Sequence, residues 1–234
     1  MKIKEITLNN IFSYYNENIV KFDVSDSSKN IHVLYGRNGN GKTSFINAIK
    51  LLFLGTDNDL YTEQLRKSVS EGKIISVNNY VLGNKDWFGI INSKSKKEGN
   101  NNCSVSITFI ENNKEYFVNR SWTLNKNISF DETLTILEKN SSFEISGKEA
   151  EKFLHKRIPP DFVDFFFFDG EQIQQIAEAN RSDRKEKIVK LLNITGIDFL
   201  TKIVRIYRDE LKNQSYENRA QQTEIISKQK DLDE

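Results

Sequence analysis

Eight consecutive residues, Gly36-Arg37-Asn38-Gly39-Asn40-Gly41-Lys42-Thr43, place three glycines, a lysine and a hydroxyl at the spacing G-x-x-x-x-G-K-[ST]. Each residue type answers a demand of phosphate chemistry. Glycines reach backbone angles closed to other residues and let the chain wrap an anion without side-chain clashes. Successive backbone N–H groups, completed by a helix N-terminus, then point at the phosphate oxygens. Lys42 supplies a point charge for β- and γ-phosphates, and Thr43 offers its hydroxyl to Mg²⁺. The spacing therefore predicts binding of a nucleoside triphosphate, ATP with Mg²⁺, on residues 36 to 44, with Ser44 closing the loop.

That motif needs a strand before it and a helix after it. Ile31-His32-Val33-Leu34-Tyr35 is a short apolar run of the kind a fully buried strand shows. From Thr43 to Phe53 the apolar residues Phe45, Ile46, Ile49, Leu52 and Phe53 keep helical spacing, and Gly55 ends the run. Upstream, residues 3 to 8 and Ile19 to Val24 read as strands. Downstream, Tyr61 to Ser70 reads as a helix, Val77 to Leu82 as a strand, and Asn92 to Asn102 as a polar, basic loop. Ser104 to Ile110 and Glu115 to Leu124 form a hairpin about the turn Glu111-Asn112-Asn113-Lys114. Strands are expected at Thr133 to Leu137 and Phe143 to Ile145. A helix is expected from Glu149 to Arg157, stopped by Pro159-Pro160. The four phenylalanines 165 to 168 suit a strand buried on both faces.

Composition sets broad bounds. The 234 residues suffice for one sizeable domain with an appendage, and 34 basic against 33 acidic residues leave a net charge of +1. Any basic surface must therefore be local. Lys94, Lys96 and Lys97 form one cluster, and Arg181, Arg184, Lys185 and Lys187 a second; solvated surface charge and phosphate neutralisation are both open readings. A single cysteine, Cys103, excludes an internal disulfide and reads as an inert strand residue. With no Cys or His partner, His32 and His155 read as structural. No stretch reaches the ~18 apolar residues of a membrane span, and no signal peptide opens the chain; a soluble, cytoplasmic protein is expected.

Beyond Gln172 the chain has no proline, and Ile197, Leu200, Val204, Tyr207 and Leu211 keep a three-four spacing. A helix starting a coiled coil is expected over 196–234. Lys230-Asp231-Leu232-Asp233-Glu234 carries no helix stop, so the helix is expected to run on.

The opening Ile6-Thr7-Leu8-Asn9-Asn10-Ile11-Phe12-Ser13, followed by a second strand and the phosphate loop, resembles the N-terminal lobe of the SMC/SbcC-type ATPase heads, relatives of the ABC transporter ATPases. The resemblance implies an α/β P-loop NTPase fold: an ABC/SMC-type head lobe over residues 1–195, with a mixed sheet and antiparallel hairpins, leading into a coiled coil. It also implies that a C-terminal lobe absent from this sequence carries the signature motif, the adjacent acidic pair and the switch histidine. Here an aliphatic strand ending in Asp-Glu is missing. Phe165-Phe166-Phe167-Phe168-Asp169-Gly170-Glu171-Gln172 is similar to the Q-loop segment of the DNA sulfur modification protein DndD and of SMC-like subunits of bacterial defence systems, including Lamassu. Tyr116-Phe117-Val118-Asn119-Arg120-Ser121-Trp122 fits the same pattern. The motifs do not separate DndD from a Lamassu-type subunit. Asp169 stands where the family carries a metal-side glutamine; a carboxylate suits Mg²⁺, Glu171 and Gln172 are alternatives, and a helix-capping role for Asp169 is a third.

What the resemblance implies for function is ATP hydrolysis by two heads that close on ATP, in a DNA-acting defence or restriction complex with nuclease subunits. The second basic cluster, 181 to 187, lies where such heads grip duplex DNA. DNA repair ATPases and a nucleotide-stabilised structural module without turnover are the alternatives. A compact kinase or GTPase fits less well, because no base-specific N-K-x-D motif occurs.

Overall fold

Alternation of apolar and polar residues builds one sheet, and a helix following the glycine loop packs against it. In the computed structural model, residues 1–25, 31–56, 62–70, 73–125, 128–168, 204 and 208 are described. The elements are β1 (Lys2–Asn9), β2 (Glu17–Lys21), α1 (Lys42–Leu54), α2 (Glu63–Ser68), α3 (Val77–Leu82), α4 (Ser93–Lys97), β3 (Asn102–Glu111), β4 (Lys114–Asn125), β5 (Ser129–Glu138), β6 (Glu144–Ser146), α5 (Gly147–Arg157) and α6 (Pro160–Phe166). The chain forms two compact units, Met1–Gln175 and Ile176–Glu234. In the second, Val204 and Arg208 are described, and both are helical. The coiled coil expected over 196–234 otherwise lies outside the described residues.

The sheet runs in the order β2-β1-β3-β4-β5-β6, and each described pairing is antiparallel. Its longest hairpin, β3–β4, pairs Glu111 with Lys114 across Asn112 and Asn113, both at positive φ (50° and 62°). That is the backbone a two-residue hairpin loop requires, and asparagine tolerates it. One face of the sheet is apolar. Cys103, Val105, Ile107 and Phe109 of β3 alternate inward, opposite Val118, Trp122 and Leu124 of β4. Helix α1 buries Phe45, Ala48, Ile49, Leu51, Leu52 and Phe53 in the same core. Burial of Cys103 pushes its thiol well above the usual range, so it is an inert core residue.

Three expectations fail, each for a local reason. Val77 to Leu82 is a helix, because Ser76 caps it by accepting from the Asn79 N–H (3.2 Å) and Gly83 ends it. The stretch expected as a loop at 92–102 contains α4, capped by Asn92. Of the phenylalanine run, Phe165 and Phe166 close α6, which starts at Pro160, and Phe167 and Phe168 follow it outside any strand; Phe166 and Phe168 are exposed, and Phe167 stacks on Phe53 at 5.3 Å. A short apolar run does not distinguish strand from buried helix, whereas Pro at the first helical position favours helix.

A further difference concerns Ile31 to Tyr35. This run forms no strand and is exposed, with Ile31 at 83 % and Tyr35 at 94 %. A strand buried on both faces needs neighbours to hydrogen-bond and layers to cover it. Among the described residues, no strand pairs with it.

Candidate phosphate-binding site

The two ends of α1 are built differently, and the site lies at its N-terminal end. Gly39 and Gly41 adopt φ of 84° and 82°, the left-handed region that glycine enters without strain. The first helical bond runs from the Phe45 N–H to the Gly41 carbonyl (2.8 Å). No side chain caps this end, and its first turn carries no acidic residue. The leading N–H groups of a helix have no partner within the helix, and the macrodipole gives them a partial positive charge. Lys42 folds back over the loop, its Nζ donating to the carbonyls of Gly36 (2.7 Å) and Arg37 (3.0 Å). The Asn40 N–H also donates to Arg37 (3.2 Å), which rounds the loop into a cradle. Arg37, Asn38, Asn40 and Thr43 are exposed around it.

Two residues not singled out for this role by their spacing hold the cradle from β1's side. Ser13 and Ser44 hydroxyls pair at 2.8 Å, and the Tyr14 hydroxyl donates to the Gly41 carbonyl at 3.2 Å. Partial burial pushes the Tyr14 hydroxyl above the ordinary phenol range, so it stays a neutral donor. Contact is close enough that a Cβ on Gly41 would stand 3.1 Å from that of Ser13. Residues 27 and 31 positions apart in the chain carry no local signal of such pairing; only the resemblance at Ile6 to Ser13 pointed to this turn.

At the other end of α1 a buried guanidinium takes up the helix terminus. Arg120, 1 % exposed, donates from Nε to the Leu52 carbonyl (2.7 Å) and pairs through Nη1 with Glu132 and with Glu151 (2.7 Å). Burial works against its charge, but the two carboxylates outweigh that and hold the guanidinium pKa above its usual value. Glu132 also accepts from the Thr56 N–H (2.9 Å), the Thr56 hydroxyl and Trp122 Nε1 (3.0 Å). Asp131-Glu132 is an adjacent acidic pair, yet Glu132 is committed to this anchor. Along α1, Lys50 pairs with Asp164 of α6 at 2.7 Å.

The remaining candidates are distributed as follows. Asp169, Glu171 and Gln172, and the basic residues Arg181, Arg184, Lys185 and Lys187, lie outside the described residues. In the first basic cluster, Lys94 Nζ sits 3.9 Å from the Tyr15 ring centroid and Lys96 Nζ donates to the Leu82 carbonyl (2.7 Å). Those two lysines are thus partly engaged in packing. His32 meets the edge of Phe22 at 5.1 Å, and His155 faces Glu151 at 3.4 Å. Among the described residues, no three His, Cys, Asp or Glu side chains converge on a metal position.

The loop residues fit a triphosphate with a divalent ion: an uncapped helix terminus, the Lys42 cation and an exposed hydroxyl at Thr43 are the donor set it requires. Compared with known families, residues 5–234 match the AAA domain. No curated protein matches the chain. Among the described residues, no helix is long and apolar enough to cross a membrane.

Proposed function

The chain belongs to the AAA domain family, as an SMC-like ATPase head lobe, and from that premise we propose that it binds ATP with Mg²⁺ on residues 36 to 44 and works as half of a composite active site. The observation that carries this is the uncapped α1 terminus behind two left-handed glycines, with Lys42 parked on the loop's own carbonyls. On binding, Lys42 exchanges the Gly36 and Arg37 carbonyls for β- and γ-phosphate oxygens, and the backbone N–H groups of residues 41 to 44 meet the rest. Thr43 and Asp169 are the residues that would hold Mg²⁺, which supplies charge neutralisation on the phosphates.

The other half comes from a C-terminal lobe and a second copy of the head. The exposed run Ile31 to Tyr35 supports this, since apolar residues so exposed mark a surface that another element covers. ATP held between two heads closes the dimer, and hydrolysis reopens it. The substrate of this motion is double-stranded DNA, with Arg181, Arg184, Lys185 and Lys187 on its phosphates, in a bacterial anti-phage or restriction complex with a nuclease partner. The DndD-like phenylalanine segment supports the defence setting over DNA repair.

One assay tests the reading: ATP turnover with and without DNA and the C-terminal lobe. Alone, the chain binds ATP and hydrolyses it poorly, because the water-orienting carboxylate is supplied by the other lobe. Adding lobe and DNA raises turnover. In that assay Asp169→Ala lowers turnover more than binding, and charge reversal at Arg184 and Lys185 removes the DNA effect. Rapid turnover by the isolated chain contradicts the composite site. Binding without turnover in every combination favours the structural module.

A further inference from the structure

The turn between β1 and β2 is strained, and the strain points at the phosphate loop. Asn10, Phe12 and Asn16 all stand at positive φ (49°, 50° and 55°). Asparagine accepts this region, but an aromatic residue there needs an outside restraint. Asn92, only 7 % exposed, supplies it. Its backbone N–H donates to the Asn10 carbonyl and its Nδ2 to the Phe12 carbonyl, both at 2.8 Å. Its Oδ1 meanwhile accepts from the N–H groups of Lys94 (3.1 Å) and Ser95 (3.3 Å), capping α4. The Phe12 N–H adds a bond to the Ile90 carbonyl (2.7 Å), and Ile11 bridges Ile91. Immediately beyond Phe12 come Ser13 and Tyr14, the residues that touch Ser44 and Gly41.

Resting on the reading of residues 36 to 44 as a nucleotide site, we infer that Asn92 is a positioning residue for that site. It holds Phe12 in its strained turn so that Ser13 and Tyr14 fix the cradle where the N–H groups at Gly41 to Ser44 face the phosphates. Asn92 touches no part of the loop itself. Its effect travels through one contiguous chain of contacts, Asn92–Phe12–Tyr14–Gly41, spanning 80 positions of sequence at its first step. Helix α4 belongs to the same unit, because Tyr15 donates to Glu98 (2.7 Å) and carries Lys94 on its ring. Nucleotide occupancy and the seating of α4 are therefore coupled, and linkage makes the coupling reciprocal.

The experiment is calorimetric titration of the full chain with Mg²⁺-ATP, using Asn92→Asp, Tyr14→Phe and the double variant. Aspartate keeps the α4 cap but loses the donor to Phe12; phenylalanine keeps the ring but loses the hydroxyl. Each single variant weakens ATP by about 3- to 10-fold, the size of one hydrogen bond. Because both act along one path, the double variant loses no more than the larger single one. The unliganded thermal midpoint of Tyr14→Phe stays at the wild-type value, which keeps the test clear of folding. Wild-type affinity in both variants, or losses that multiply as for independent sites, overturns the inference. Wild-type chain that binds no ATP, or Lys42→Ala that binds it as tightly as wild type, overturns the nucleotide site instead.

Discussion

The two ends of α1, thirteen residues and on the order of 20 Å apart, follow opposite rules. At the C-terminal end the Leu52 carbonyl receives the Arg120 guanidinium, the Gly55 N–H returns to Leu51 (2.9 Å), and Thr56 is held by Glu132. A buried cation there also opposes the negative end of the helix dipole. At the N-terminal end Gly36 and Gly39 are exposed, no side chain caps the helix, and Lys42 rests on backbone carbonyls. The helix is secured where it meets the sheet and left electrostatically incomplete where it meets the loop. A protein interior satisfies its polar groups, and in the function proposed above the solvent-facing end of α1 is the one that a nucleotide completes.

Breaking the secured end carries the largest expected effect on stability. Arg120→Met leaves the largely buried Glu132 side chain, and the partly exposed Glu151, without the guanidinium that pairs them, at a cost of about 3–5 kcal/mol in urea denaturation. A loss below about 1 kcal/mol would mean that this end does not hold the helix. Gly55→Ala comes next. Gly55 lies at φ 63° and ψ −167°, and an added Cβ would meet Arg120 Nη1 and stand 2.8 Å from Glu132 Oε1. The expected cost is about 1–3 kcal/mol, again by denaturation, and wild-type stability would show that the anchor has slack. Tyr14→Phe, at the open end, is the smallest in stability terms and should be visible only in ATP affinity. That separation is the comparison in its sharpest form.

How much of this was legible in the sequence follows from where each signal resides. The loop was legible because the ligand dictates its glycines and lysine locally, and the hairpin because Asn112-Asn113 can take left-handed angles. The inward face of β4 was legible in its period of two, which places Arg120 between Val118 and Trp122. What Arg120 does there was not, because its partners Leu52, Glu132 and Glu151 come from three other elements. Nor were Tyr14 and Asn92, whose bonds join positions 27 and 80 apart. Helices α3 and α6 were misread because runs of six or seven residues hold less than two full periods, and their starts, the N-cap Ser76 and the first helical residue Pro160, decide the outcome. Ile31 to Tyr35 read as a buried strand from its composition, but burial depends on a covering element, and composition names none.

The central claim is that the open end of α1 is a nucleotide site whose affinity is separable from the stability set at the other end. Its most direct test is titration of Mg²⁺-ATP into wild type and Lys42→Ala, with urea denaturation of both. Lys42→Ala should lose affinity by about 100-fold or more, as expected for a charge-assisted contact to phosphate, while its unliganded stability matches wild type. Equal ATP affinity in the two proteins would contradict the account.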